Sequence, residues 1–306
     1  MKEISLAIAG VGLRVVAHGP AAPHLFPELA PLLKGFLVRK HASPDAVCLV
    51  HFDHERIYRH RFDTEPRLLL PERSPLAALV GARVEDIFPG DRHHPAVMIG
   101  FLNGVLIFEE TTRRGTIYIF YAEPDSHFPA TLWKLLFVFA CLVMVHRDRI
   151  IVHGAGIKKE GGGYLFLGRS GAGKSTVASL SAPGVILSDD ATAVAVAGDG
   201  NSIHATPFTQ LGTKRGRRPR YREEERLAGL FFLHQSAVTA IAPREERLAF
   251  VELLQAHLHG FAVMGEATKR KAFDLCRRVC ATTPAYDLFF RKDPGFWELA
   301  GAPGKG

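Results

Sequence analysis

The chain has 306 residues and a mass of 33.6 kDa, about twice the usual domain length, so two domains of roughly 150 residues are expected. Hydrophobic residues make up 47% and charged residues 23%, a balance that excludes a disordered chain. With 38 Lys and Arg against 31 Asp and Glu, the net charge is +7, which favours anionic partners without choosing among nucleotides, phosphates, acidic peptides and nucleic acid.

Cys48, Cys141, Cys276 and Cys280 are too few and too scattered for a disulfide framework, and a reduced, cytoplasmic chain is expected. No basic, apolar and small-residue triplet opens the sequence, so no secretory signal is expected. The longest apolar run, Leu135 to Val145, has 11 residues against the roughly 20 that span a bilayer. No membrane span is expected, and the run reads as a buried core helix entered near Ser126 and Pro129.

Taken in order, residues 1–125 read as the smaller domain, α+β with antiparallel strands. Residues 5–17 and 46–53 are strand-like, and the apolar 25–38 between them suits a helix. Residues 96–102 and 105–110 flank Asn103-Gly104, a hairpin signal, and 111–115 lead into a strand over 116–123. His51, His54, His60, His93 and His94 lack the cysteines or helical spacing of a metal site and carry none. Pro124-Asp125-Ser126 is the expected boundary, so the second domain spans 126–306.

There, strands over 149–159 and 164–168 are joined so tightly, through Glu160 to Gly163, that they should be antiparallel neighbours. Next, Gly168-Arg169-Ser170-Gly171-Ala172-Gly173-Lys174-Ser175 satisfies the phosphate-loop pattern in full, between an apolar strand and a helix beginning near Thr176. Glycines let the backbone curl its N–H groups toward phosphate, and the following helix presents its positive end. Lys174 would reach the β- and γ-phosphates of ATP, and Ser175 would offer its hydroxyl to Mg²⁺.

A further strand, within 184–196, delivers Asp189 and Asp190 at its end, 15 residues past Lys174 for the first of them. One carboxylate can hold Mg²⁺ while its neighbour accepts the proton of an incoming hydroxyl. Residues 191–205 then read as strand, turn and strand, which sets the loop among antiparallel hairpins rather than repeated parallel strand–helix units.

The segment Ile151 to Ile157 with its His153-Gly154 pair, the loop Gly168 to Ser175 and the run Leu187 to Asp190 together resemble the HPr kinase/phosphorylase family, whose core resembles phosphoenolpyruvate carboxykinases. The resemblance covers about 150–200 well and extends loosely to about 290; residues 1–125 lie outside it. It implies an α/β fold of mixed sheets with a phosphate-loop core, and an ATP- and Mg²⁺-dependent kinase. The nucleotide would sit on Gly168 to Ser175 and the adjoining Thr176, with Ser175 and Asp190 on the metal. Asp189 would be the base, Lys174 the phosphate contact and His153 a neighbour of the reacting phosphoryl group.

Thr176 stands where HPr kinases usually place an acid, and the later signature associated with phosphorolysis is absent. The chain therefore looks more like the divergent HPr-kinase-related proteins, some of which phosphorylate Ser or Thr in a peptide. The expected acceptor is a protein or peptide hydroxyl, with a small-molecule kinase or a non-catalytic nucleotide-binding adaptor as the alternatives.

Lys214, Arg215, Arg217, Arg218, Arg220 and Arg222 form a basic loop that suits either a phosphate or acidic-peptide clamp or a solvated segment. Nucleic acid is not the expected partner, because no interleaved aromatic platform accompanies this charge. Residues 243–261 and 267–282 have helical periodicity, and Phe296 and Trp297 should pack back on the core. A homo-oligomer stays open.

Overall fold

The computed structural model describes residues 2–18, 22–39, 43–53, 65–69, 96–120, 128–160, 162–181, 184–209 and 223–300. The expected boundary at 124–126, His54, His60, His93, His94, the basic run 214–222 and the last six residues lie outside the described residues. The fold is mixed α/β, with two mixed sheets of seven and eight strands and few helices.

The first sheet contains β1 (Lys2–Ile8), β2 (Val11–His18), β3 (Ala46–Asp53), β4 (Arg67–Leu69), β5 (Ala96–Phe101), β6 (Gly104–Glu109) and β7 (Arg114–Phe120), in the spatial order β1-β2-β3-β7-β6-β5-β4. The strand-like stretch 5–17 is a hairpin: Ala9 and Gly10 both have positive φ, 49° and 76°, and Ile8 pairs with Val11. Two left-handed residues in a two-residue turn match the twist of the strands they join.

Nor is this sheet antiparallel throughout, as the sequence led us to expect. β2 runs parallel to β3, and β3 runs parallel to β7. The physical reason is the helix α1 (Ala22–Leu33), which carries the chain back along the sheet between β2 and β3, so that the second strand starts at the same end as the first.

The hairpin of β5 and β6 forms, but Phe101 pairs with Gly104, so its turn is Leu102-Asn103. Gly104 is already inside β6, and a Cβ there would stand 2.7 Å from Thr131 and 2.9 Å from Leu135. Both neighbours belong to α2 (Phe128–His146), the expected core helix. Thr131 also donates to the side-chain oxygen of Asn103 at 2.6 Å. At the next strand, a Cβ on Gly115 would meet the Phe139 ring at 2.6 Å. Two missing side chains thus let α2 lie close on β6 and β7. The stretch Pro129–His146 is long and apolar enough to cross a membrane, and 67% of it is buried inside the fold.

The second sheet is built from β8 (Arg149–Lys159), β9 (Gly162–Leu167), β10 (Val185–Ser188), β11 (Ala191–Ala195), β12 (Ser202–His204), β13 (Glu224–Gln235), β14 (Ala240–Pro243) and β15 (Ala285–Phe290). β8 and β9 form the expected antiparallel hairpin, Lys159 opposite Gly162. β9 also runs parallel to β13, and β13 parallel to β15, so this sheet too is mixed. The remaining helices are α3 (Lys174–Leu180), α4 (Glu246–Glu252), α5 (Glu266–Thr282) and α6 (Phe296–Ala300).

One core runs from β1 and β2 through α2 to β8 and α5, and includes Cys141, Cys276 and Cys280. A second, aromatic core lies beneath α3: Phe166, Phe231, Phe290, Phe296 and Trp297 pack with Val177 and Ala178. Phe296 and Trp297 do fold back as expected, and they support the element that follows the glycine-rich loop.

The helical reading of 243–261 holds from Glu246 to His257 and needs correction beyond it. α4 stops at Glu252, a π-helical turn covers Leu253–His257, and Leu258 then bridges Val152 on the edge of β8. Long-range strand pairing overrides the local 3.6-residue pattern there.

Candidate functional site

β9 ends at Leu167, the loop occupies 168–173, and α3 begins at Lys174. Gly171 and Gly173 have φ of 82° and 113°, a region that L side chains avoid. At Gly173 the restriction is double, because a Cβ would meet the Phe290 ring at 2.6 Å. The loop is tied internally by Ala172 N–H donating to Arg169 O at 3.0 Å, and on its flank by Gln235 donating to Gly171 O at 2.6 Å.

Lys174 is 8% exposed, and its Nζ donates to the carbonyls of Gly168 at 2.7 Å and Arg169 at 3.2 Å. Burial lowers its pKa and Asp190 partly opposes that. Among the described residues the hydrogen bonds of Lys174 go to neutral carbonyls, and a buried ammonium so held beside a cavity is a charge available to an anionic ligand.

On the other side, Ser188 ends β10 and its hydroxyl accepts from the N–H groups of Asp190 at 3.3 Å and Ala191 at 3.0 Å. This local turn presents Asp189 and Asp190 before β11 begins. Pairing of Ala191 with His153 brings β8 alongside, and Gly154 N–H donates to Asp190 O at 2.9 Å. His153 Nδ1 then lies 2.9 Å from Asp190 Oδ1. That hydrogen bond, more than the nearby charges of His153, His259 and Lys174, holds the Asp190 carboxyl below the usual range against the opposing effect of burial. Asp189 is 8% exposed and accepts from Thr209 at 2.5 Å.

These elements enclose a cavity of about 300 Å³ lined by His153, Ser170, Gly171, Gly173, Lys174, Ser175, Thr176, Asp189 and Asp190. Gly168, Arg169 and Ala172 belong to the same loop without lining the cavity; Gly168 and Arg169 carry the carbonyls that hold Lys174. The nine wall residues meet from β8, the loop, α3 and the turn after β10, which are separated by up to 37 positions, from 153 to 190.

Four neighbours escape a reading of motifs. Thr209 and Gln235 bond Asp189 and the loop, as described. His257 Nδ1 lies 3.1 Å from His153 O, and its ring stacks on that of His153 with centroids 6.4 Å apart. The His259 ring meets His153 edge-on at 5.5 Å and Phe137 at 4.9 Å, and burial pushes its pKa down to about 4. The available signal was the pair of histidines itself, His257 and His259; their placement follows from the end of the π-helical turn at His257 and the bridge of Leu258 to Val152.

Behind His257, Arg244 joins Glu252 and Asp287 at 2.5 Å each, while Glu252 Oε1 lies 3.6 Å from His257 Nε2. The segment that carries the two histidines is therefore clamped to β15.

The donor set bears on which metal fits. Among the described residues no group of three or more His, Cys, Asp and Glu side chains forms a metal cluster. What the cavity offers is hard oxygen, the Ser175 hydroxyl and the Asp189 and Asp190 carboxylates. Few protein oxygens suit Mg²⁺, which keeps waters and takes phosphate oxygens for the rest of its shell, and suit a caged transition metal poorly. In comparison with known proteins, the chain matches no protein-family model and no curated protein.

Proposed function

We propose that the protein is an ATP- and Mg²⁺-dependent kinase that transfers the γ-phosphoryl group to a Ser or Thr hydroxyl of a protein or peptide. The observation that carries this reading is the meeting, in one cavity, of a left-handed glycine loop, a buried lysine and two carboxylates. An HPr-kinase-like core is part of the same proposal. It is supported by the β8–β9 hairpin that places His153-Gly154 beside the loop and by the short strand that delivers the Asp pair.

The roles follow from the chemistry of each group. Loop N–H groups and Lys174 hold the phosphates, and Ser175 with Asp190 would hold Mg²⁺. The metal neutralises phosphate charge when bound. Asp189, fixed through one oxygen by Thr209, accepts the proton of the acceptor hydroxyl. Residues 126–306 form the kinase domain in this proposal, and residues 1–125 recognise the acceptor.

The test is incubation of the full chain with labelled ATP, Mg²⁺ and Ser- or Thr-containing peptides. Label should pass to the peptide, and Asp189→Asn should slow transfer by about 10²–10⁴-fold, the usual contribution of a positioned base. Transfer at the wild-type rate in that variant would remove Asp189 from the role of base.

A further inference from the structure

We infer that His153 is itself a phosphoryl acceptor, so that the chain carries the γ-phosphoryl group of ATP on Nε2 as a phosphohistidine. The inference rests on the nucleotide reading above and goes beyond it, because a kinase of that kind needs no covalent intermediate.

Four observations lead there. First, His153 lines the same cavity as Lys174 and the glycine loop. Second, its Nδ1 is engaged by Asp190 at 2.9 Å, which fixes the proton on Nδ1 and leaves the lone pair on Nε2. Third, Nε2 bonds no side chain or backbone group among the described residues, and it is not sealed from solvent: the side chain is 32% exposed. Fourth, the ring is held on two sides, stacked on His257 and edge-on to His259, so its direction is set by packing. A histidine that merely filled space between strands would not need a carboxylate on one nitrogen while the other stays unbonded among the described residues and within reach of solvent.

The step balances without another reactant. The Nε2 lone pair forms a bond to the γ-phosphorus as the bond from that phosphorus to the β–γ bridging oxygen breaks, and ADP leaves with the electron pair. No proton is released, since Nδ1–H stays in its hydrogen bond to Asp190, whose negative charge offsets the positive charge arriving on the ring. Asp190 bonds His153 through Oδ1, and its second oxygen is left for the metal assigned above. In the return step the oxygen of an acceptor hydroxyl forms a bond to the phosphorus as the P–N bond breaks, the P–N electron pair goes back to Nε2, and the hydroxyl proton passes to Asp189.

The experiment uses the full chain, Mg²⁺ and ATP labelled in the γ-phosphate, with no acceptor and with an alkaline quench. ATP binding is measured in parallel by calorimetry. The expected result is protein-bound label that is stable to alkali and lost in acid, together with exchange of labelled ADP into ATP. His153→Gln should lose both signals by at least 100-fold while keeping ATP affinity within about threefold, which shows that the variant is folded. Asp190→Asn should lower the labelling rate at least tenfold. Wild-type protein that binds ATP yet shows neither label nor exchange overturns the inference and leaves the nucleotide reading standing, as does acid-stable label on Ser or Thr alone. Failure to bind ATP at all overturns both.

Discussion

At the scale of single residues, the lysine of the loop shows how burial and function are opposed. Lys174 is 8% exposed, and burial works against its charge. Two carbonyl contacts from its own loop offset part of that cost, but they satisfy an ammonium less well than phosphate oxygens would. Replacement by Met, of similar length and without charge, should therefore leave thermal stability equal to wild type or slightly higher. ATP affinity should fall at least tenfold, since a hydrogen bond to a charged group is worth about 1.5–3 kcal/mol. Parallel melting curves and calorimetric titrations of Lys174→Met check both halves, and a variant that melts earlier and binds ATP normally would reverse the account.

At the scale of elements, glycines decide how closely the pieces approach, and two of them separate conformation from crowding. Gly171 has φ 82° and nothing within 4 Å of where a Cβ would stand, whereas Gly173 combines φ 113° with the Phe290 ring at 2.6 Å. Gly171→Ala should cost about 1–2 kcal/mol, the left-handed penalty alone. Gly173→Ala should cost more, because Phe290 belongs to the aromatic core and has little room to yield. Urea unfolding of the two variants measures the difference, and equal losses would show that the ring moves aside freely. The same logic explains what the sequence revealed and what it hid. The loop, the antiparallel β8–β9 hairpin and the Asp pair at a strand end were legible because each is encoded within a few consecutive residues. The Asn103-Gly104 pair suggested a turn one residue too late, since Gly104 is used instead to admit α2. The helical periodicity of 243–261 hides the break after His257, because the extended Leu258 that separates His257 from His259 depends on its bridge to Val152 of β8, more than 100 positions away.

At the scale of the whole molecule, pH acts on a set of buried and half-buried imidazoles. His51, His146, His204, His257 and His259 are all held below the ordinary 6.5, in each case chiefly by burial, and His259 is pushed down to about 4. A depressed folded-state pKa means that the unfolded chain binds the proton first, so folding stability is fully present above 6.5 and is lost as pH falls toward the folded values. For His259 the drop from 6.5 to about 4 corresponds to at most about 3.5 kcal/mol, at about 1.4 kcal/mol per pKa unit. Most carboxylates titrate lower, so a fall between pH 6.5 and 5 reports the histidines. Urea midpoints at pH 7.5, 6.5, 5.5 and 5.0 should decline steadily below 6.5. His259→Phe keeps an aromatic ring against Phe137 and His153 while removing the titrating group, and it should flatten that decline. An unchanged slope in His259→Phe would mean that His259 takes up its proton in the folded chain as readily as in the unfolded one, and that the ring is far better solvated than its packing against Phe137 and His153 implies.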